Sequence, residues 1–128
     1  AQKALTHASM VVRDGGVVIL AAECGEGSGS ASFEEFMENV GTYQEAISKF
    51  AREGFRVGPH KAFQIAQQAA RSHIYLVSEL PKDLTARFLL HPVESLQSAV
   101  DLALTQLPAN ARIAVMPFAT NTLPMLVP

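Results

Sequence analysis

Apolar residues run unbroken from Val17 to Ala22, with Gly15-Gly16 before them and Glu23-Cys24-Gly25 after. A run this short, bounded by glycines, predicts a strand covered on both faces, as in a parallel sheet flanked by helices. Similar runs at Ile74-Tyr75-Leu76-Val77, Phe88-Leu89-Leu90 and Arg112-Ile113-Ala114-Val115-Met116 predict a second, a third and a last strand. Between them the apolar period changes to that of a helix. Ala4, Leu5, Ala8 and Val12 share one side of residues 1–12, which close in the turn Arg13-Asp14-Gly15-Gly16. Ser32 and Glu35 have capping-box spacing, Phe33, Phe36 and Val40 follow at helical intervals, and Gly41 is the stop. Thr42 and Glu45 repeat the box for a helix with Ile47, Phe50 and Ala51 inward, ended by Gly54.

After a loop at residues 56–61, Ala62, Phe63, Ile65, Ala66, Ala69 and Ala70 mark a helix reaching Ser72. A helical turn or two is expected between Pro81 and Arg87. Pro92 suits the first position of a helix, where its missing N–H costs nothing. Val93, Leu96, Val100, Ala103 and Leu107 form the apolar stripe of that helix, and Pro108 ends it. Strands alternating with helices, through connections too long for hairpins, define a three-layer α/β domain. Its sheet is small, mostly parallel, of three or four strands, and residues 1–128 form one domain.

Composition changes this picture in one respect. Of the 128 residues 48% are hydrophobic and only 17% charged, against roughly 25% charged in ordinary soluble domains. Part of the surface is therefore expected to be covered by something else. The first residue is not Met and residues 1–5 already read as helix interior, so the natural chain is expected to continue upstream. A net charge of -2 offers no electrostatic footprint for nucleic acid or an anionic membrane. No apolar run approaches the roughly 20 residues that span a bilayer, and no signal peptide is seen. The lone Cys24 excludes an internal disulfide framework and suits a reducing compartment, so a cytoplasmic location is expected.

In open parallel sheets, chemistry gathers at the carboxyl ends of the strands. The loop Gly25-Glu26-Gly27-Ser28-Gly29-Ser30 lies there, before a helix, where free N–H groups suit an anion; it reads equally as a flexible connection, lacking both a Walker lysine and dinucleotide spacing. Glu23 and Cys24, at the strand's end, are placed for a general base or nucleophile. Cysteine is also among the most buried residue types, and for Cys24 the structural reading has the better claim. His7, His60, His73 and His91 show no metal-site spacing, so no metal site is expected within the chain. His60 with Lys61, at a helix start, is the histidine best placed for an anion, or simply a solvated loop pair. The hydroxyl- and amide-rich Thr120-Asn121-Thr122 either binds substrate or satisfies a tight turn.

Taken in order, Gln2-Lys3-Ala4, Asp14-Gly15-Gly16, Ala22-Glu23-Cys24-Gly25-Glu26-Gly27, Gly58-Pro59-His60-Lys61-Ala62-Phe63 and Met116-Pro117-Phe118-Ala119-Thr120-Asn121-Thr122-Leu123-Pro124 resemble the C-terminal domain of the nickel-dependent lactate racemase family. The ordered set carries the resemblance; no one motif is specific. It implies a two-domain isomerase that racemises or epimerises a 2-hydroxy acid in the cleft between its domains. It also implies a nickel pincer nucleotide held by the N-terminal domain of the same polypeptide, where the nickel-binding and catalytic histidines belong as well. Hydride removal from the substrate's α-carbon, with a histidine taking the hydroxyl proton, would pass through a planar 2-oxo acid.

Lys3 matches the family lysine that pairs with the substrate carboxylate, and so carries the catalytic and substrate-binding roles that the resemblance assigns to this domain. Read without the resemblance, Lys3 is a solvated surface lysine. Phe63 stands where the lactate enzymes carry a tryptophan near the substrate, a departure that points to another 2-hydroxy acid. The competing reading is a non-catalytic α/β module that binds a partner protein or an anionic metabolite; it would present a coherent apolar patch on the first helix.

Overall fold

The computed structural model describes residues 1–128. In chain order its elements are α1 (Gln2–Ser9), β1 (Val17–Ala21), α2 (Ala31–Met37), α3 (Tyr43–Glu53), α4 (Pro59–Ala69), β2 (His73–Val77), α5 (Lys82–Arg87), β3 (His91–Pro92) and α6 (Leu96–Gln106). The sheet has the order β1-β2-β3 and all its pairs are parallel. None of the helices is long and apolar enough to cross a membrane.

Side chains alternate across a strand, and the register aligns Val18 with Ile74 and Leu20 with Leu76. One face therefore carries Val18, Leu20, Ile74 and Leu76 against Leu5, Phe33, Phe36, Ala62, Ile65 and Ala66 of α1, α2 and α4. The other carries Val17, Ile19 and Tyr75 against Ala99 and Ala103 of α6. The result is helices, sheet and helix in three layers, with β2 buried at its centre. Tyr75 can face a helix because its hydroxyl donates to Gln106 Oε1 at 2.9 Å, which satisfies a buried polar group. Against the opposite face, Phe33 meets Phe88 edge to face at 4.8 Å.

Local chemistry accounts for the helix ends. Thr42 caps α3 by accepting from the Glu45 N–H, as the capping-box spacing anticipates, while Glu45 Oε2 reaches one residue further back and accepts from the Gly41 N–H at 2.7 Å. Gly54, with φ 78°, ends α3. The cap of α2 differs from expectation. Ser30, not Ser32, accepts from the Phe33 N–H, and Ser32 lies inside the helix with its hydroxyl on Val57 O. α2 also stops at Met37, ahead of Gly41, because Asn39 takes φ 62°.

Four further expectations are corrected. Residues 88–90 are not a strand: Phe88 and Leu90 are buried, and Leu89 at φ 64° turns the chain, so the pairing falls to His91–Pro92. Burial, not a ladder, is what that apolar triplet serves. On α6 the inward residues are Ala99 and Ala103, while Leu96 is 55% exposed; small residues let the helix approach the sheet closely. On α3, Ala46 is the buried residue and Ala51 is exposed. Residues 112–116 form no strand at all, so the sheet has three strands.

Phe36 is only 2% exposed at the junction of α2 with the core, and Lys49 Nζ lies 4.7 Å above its ring while donating to its carbonyl oxygen. Phe36→Ala should destabilise the fold by about 3–5 kcal/mol, read from the midpoint of denaturant unfolding.

Candidate functional site at the carboxyl ends of the strands

A helix that joins parallel strands runs back along them, so its N-terminus lies level with their carboxyl ends. α4 leads into β2 in this way, and α1, joined to β1 by a short turn, packs antiparallel on it. Lys3, Pro59 and His60 consequently lie at the same end as the loops that leave β1 and β2. Hydrogen bonds tie this end together. Glu79 N–H donates to Glu23 O at 3.1 Å, joining the two loops, and Gln2 Nε2 donates to Gln64 Oε1 at 2.7 Å, joining α1 to α4. Ser28 Oγ donates to the Glu34 carboxylate, which holds the glycine loop down on α2.

Lys3 is exposed and forms no ion pair; the two in the chain are Arg71 with Asp14 and Lys82 with Glu94. Four residues on, and so on the same face, His7 donates from Nδ1 to Ala119 O at 2.7 Å. A carbonyl only accepts, so Nδ1 carries the proton. This bond brings the segment holding Thr120, Asn121 and Thr122 to the Lys3 face of α1, a meeting that sequence reading missed and that no local pattern marks. Within that segment Thr122 Oγ1 and the Asn121 backbone N–H both donate to Phe118 O, so the tight-turn reading holds for the Thr122 hydroxyl.

The other candidates fall as follows. Phe63 is half-buried on α4, its ring stacked on Phe50 at 4.6 Å, on the side turned to α3, whereas Gln64 is the residue turned to α1. His60 Nδ1 accepts from the Gly58 N–H at 3.1 Å and its ring lies against Phe55, so it caps α4, while Lys61 is exposed. Glu23 is exposed; Cys24 is half-buried at φ 56°, its carbonyl closing a turn with the Gly27 N–H. His73 and His91 are exposed at β2 and β3, and no three His, Cys, Asp or Glu side chains converge as a metal site. Lys82 Nζ, 2.8 Å from Glu94, holds that carboxyl below the usual carboxylate range on the open surface.

Two open grooves lie elsewhere. A polar groove of about 420 Å³ between α1 and α4 is lined by Thr6, Ser9, Gln64, Gln68 and Arg71. Another of about 740 Å³ surrounds His73 and Ser72 at the amino end of β2. Neither includes Lys3, Glu23 or Cys24. In open parallel sheets ligands sit beyond the carboxyl ends of the strands, so that end is the stronger candidate.

An open, parallel α/β domain of three layers, with helices on both faces of a three-stranded sheet, is thus the class that the fold defines. The chain belongs to the family described as the lactate racemase C-terminal domain, whose model matches residues 1–122. Its structure is similar to that of the lactate racemase apoprotein from Thermoanaerobacterium thermosaccharolyticum, with a TM-score of 0.85 and 22% identity. The match covers 94% of this chain and 30% of that one, so the chain spans less than a third of that protein's length. No curated protein sequence matches significantly.

Gly58 is where the site's backbone is least tolerant. It has φ 100°, and a Cβ there would collide with Ser32 Oγ at the start of α2. Gly58→Ala should cost at least about 1–3 kcal/mol, seen as a lowered thermal midpoint.

Proposed function

We propose that this domain is the C-terminal part of a two-domain racemase or epimerase that interconverts the stereoisomers of a 2-hydroxy acid in the cytoplasm. The observation that carries the reading is an unpaired ammonium, that of Lys3, on a family-matched domain at the carboxyl ends of its strands. A 2-hydroxy acid brings a fixed carboxylate into the cleft. Paired with an ammonium away from bulk water, it is held by a charge-assisted hydrogen bond, stronger and shorter than a neutral one.

A nickel pincer nucleotide, held by the N-terminal domain of the same polypeptide, would supply hydride acceptance. The side chains of this chain offer no three-ligand metal site, so the share of this domain is to bind, orient and exclude water. Lys3 anchors the carboxylate and thereby fixes the α-carbon in one position for both stereoisomers. The glycine-bearing loop at residues 25–30, beside the β2 loop, closes over the cleft and keeps water from the 2-oxo acid intermediate. Phe63, stacked on Phe50 on the α3 side of α4 and not on the α1 side, acts from there on which 2-hydroxy acid fits.

In the full-length cofactor-loaded enzyme, Lys3→Ala should lower kcat/KM by about 10–100-fold, the worth of one hydrogen bond to a charged group. Lys3→Arg should recover part of this. Steady-state kinetics that left both parameters unchanged would remove Lys3 from the site. Phe63→Trp should shift the kcat/KM ratio toward lactate over larger 2-hydroxy acids; an unmoved ratio would mean that Phe63 serves only the core.

A further inference from the structure

Residues 112–116 have the composition of a strand, with β-branched Ile113 and Val115 alternating with Ala114 and Met116. Yet no N–H or C=O group among them takes part in a hydrogen bond with the chain. Ile113 is 67% and Val115 80% exposed, and Ala114 is exposed as well, so both faces of the segment are bare. The apolar surface continues beyond it: seven of the thirteen exposed large hydrophobic residues fall between Ile113 and Val127. α6, which leads into the segment, shows the same lack of cover. Leu96, Leu102 and Leu104 are 55%, 42% and 50% exposed, although Ala99 and Ala103 of the same helix are buried against the sheet.

The domain's own sheet does not use this segment. Gly16 O and Ala22 N bond β2, so the period of two turns the backbone groups of Val17, Ile19 and Ala21 to an open edge. An edge within the same domain acts at high effective concentration and would be taken first if the geometry allowed. Pairing therefore lies outside the domain. The solved racemase to which this chain is similar matches over only 30% of its length, which leaves a large body of polypeptide to supply a partner edge.

We propose that residues 112–116 are a β-strand donated to an open sheet edge in the remaining part of the same polypeptide. Leu123, Met125, Leu126 and Val127 pack beyond it, and α6 is the helix that connects the two bodies. Main-chain hydrogen bonds supply the affinity, and alternate side chains bury on each face. The His7 bond to Ala119 places this crossing one helical turn from Lys3, so the strand that fastens the domains also fixes the substrate-anchoring helix relative to the other wall of the cleft. The inference rests on the two-domain reading only for the existence of the second body, not for its chemistry.

The test is amide hydrogen exchange, followed by mass spectrometry, on the full-length polypeptide with a racemase assay alongside. Peptides covering residues 112–116 should exchange roughly 100-fold more slowly than free chain. Successive N–H groups point to opposite edges, so of Ala114→Pro and Val115→Pro at least one should abolish this protection while residues 17–21 and 73–77 keep theirs. Free-chain exchange in the unmodified protein overturns the proposal. So does protection that survives both substitutions, or protection that disappears on dilution and thus belongs to a second copy. A protected segment in a protein without racemase activity upholds the strand and sinks the proposed chemistry; an active enzyme with an unprotected segment does the reverse.

Discussion

Everything in this domain is arranged by the need to cover both faces of one short strand. β2 is buried at Ile74, Tyr75 and Leu76 in succession, and because alternate residues point opposite ways, neither face can be left to water. Ile74 and Leu76 call for the large apolar surface of α1, α2 and α4, while Tyr75 needs a helix that comes close yet provides a polar partner. α6 meets both requirements, with alanines where it touches the sheet and Gln106 where the tyrosine hydroxyl ends. The three layers follow from that double demand.

The same packing determines where chemistry can occur. Parallel strands force the helices between them to run backwards, and α1 is held antiparallel to β1 by its short turn. Lys3, the start of α4 and the loops after β1 and β2 thus come to one end without any motif in the sequence joining them. Their internal bonds, Glu79 to Glu23 and Gln2 to Gln64, brace that end from both sides. His60, Ser30 and Gly58 turn out to build the frame: a cap, a second cap and a close approach that admits no side chain. What is left without an ion pair at this end is charge, that of Lys3 and Glu23 included.

The apolar composition and low charge of the chain, which suggested a covered surface, have a location in the structure. Exposed apolar residues concentrate on α6 and on the segment after it, while the sheet and the inner helices are packed as a core should be. The domain is complete around β2, and its bare surface runs from α6, on one face of the sheet, to the segment that His7 holds against α1, on the other.

The amino-acid sequence by itself determined the alternation of strands and helices, the Thr42 and Gly54 ends of α3, and the two-faced character of β1 and β2. Each of these follows from local period or from a side chain reaching its own backbone. It could not separate a strand from an apolar stretch that packs: residues 88–90 and 112–116 look alike in composition, yet the first is buried without a ladder and the second has neither ladder nor cover. Nor could it tell which of Ser30 and Ser32 caps α2, since both lie within reach and Val57 decides between them. Tertiary structure alone brought the Lys3 and His7 face against the far end of the chain. Contacts between residues more than a hundred positions apart leave no trace in local pattern, because hydrophobic period reports which face of an element is hidden and not what hides it.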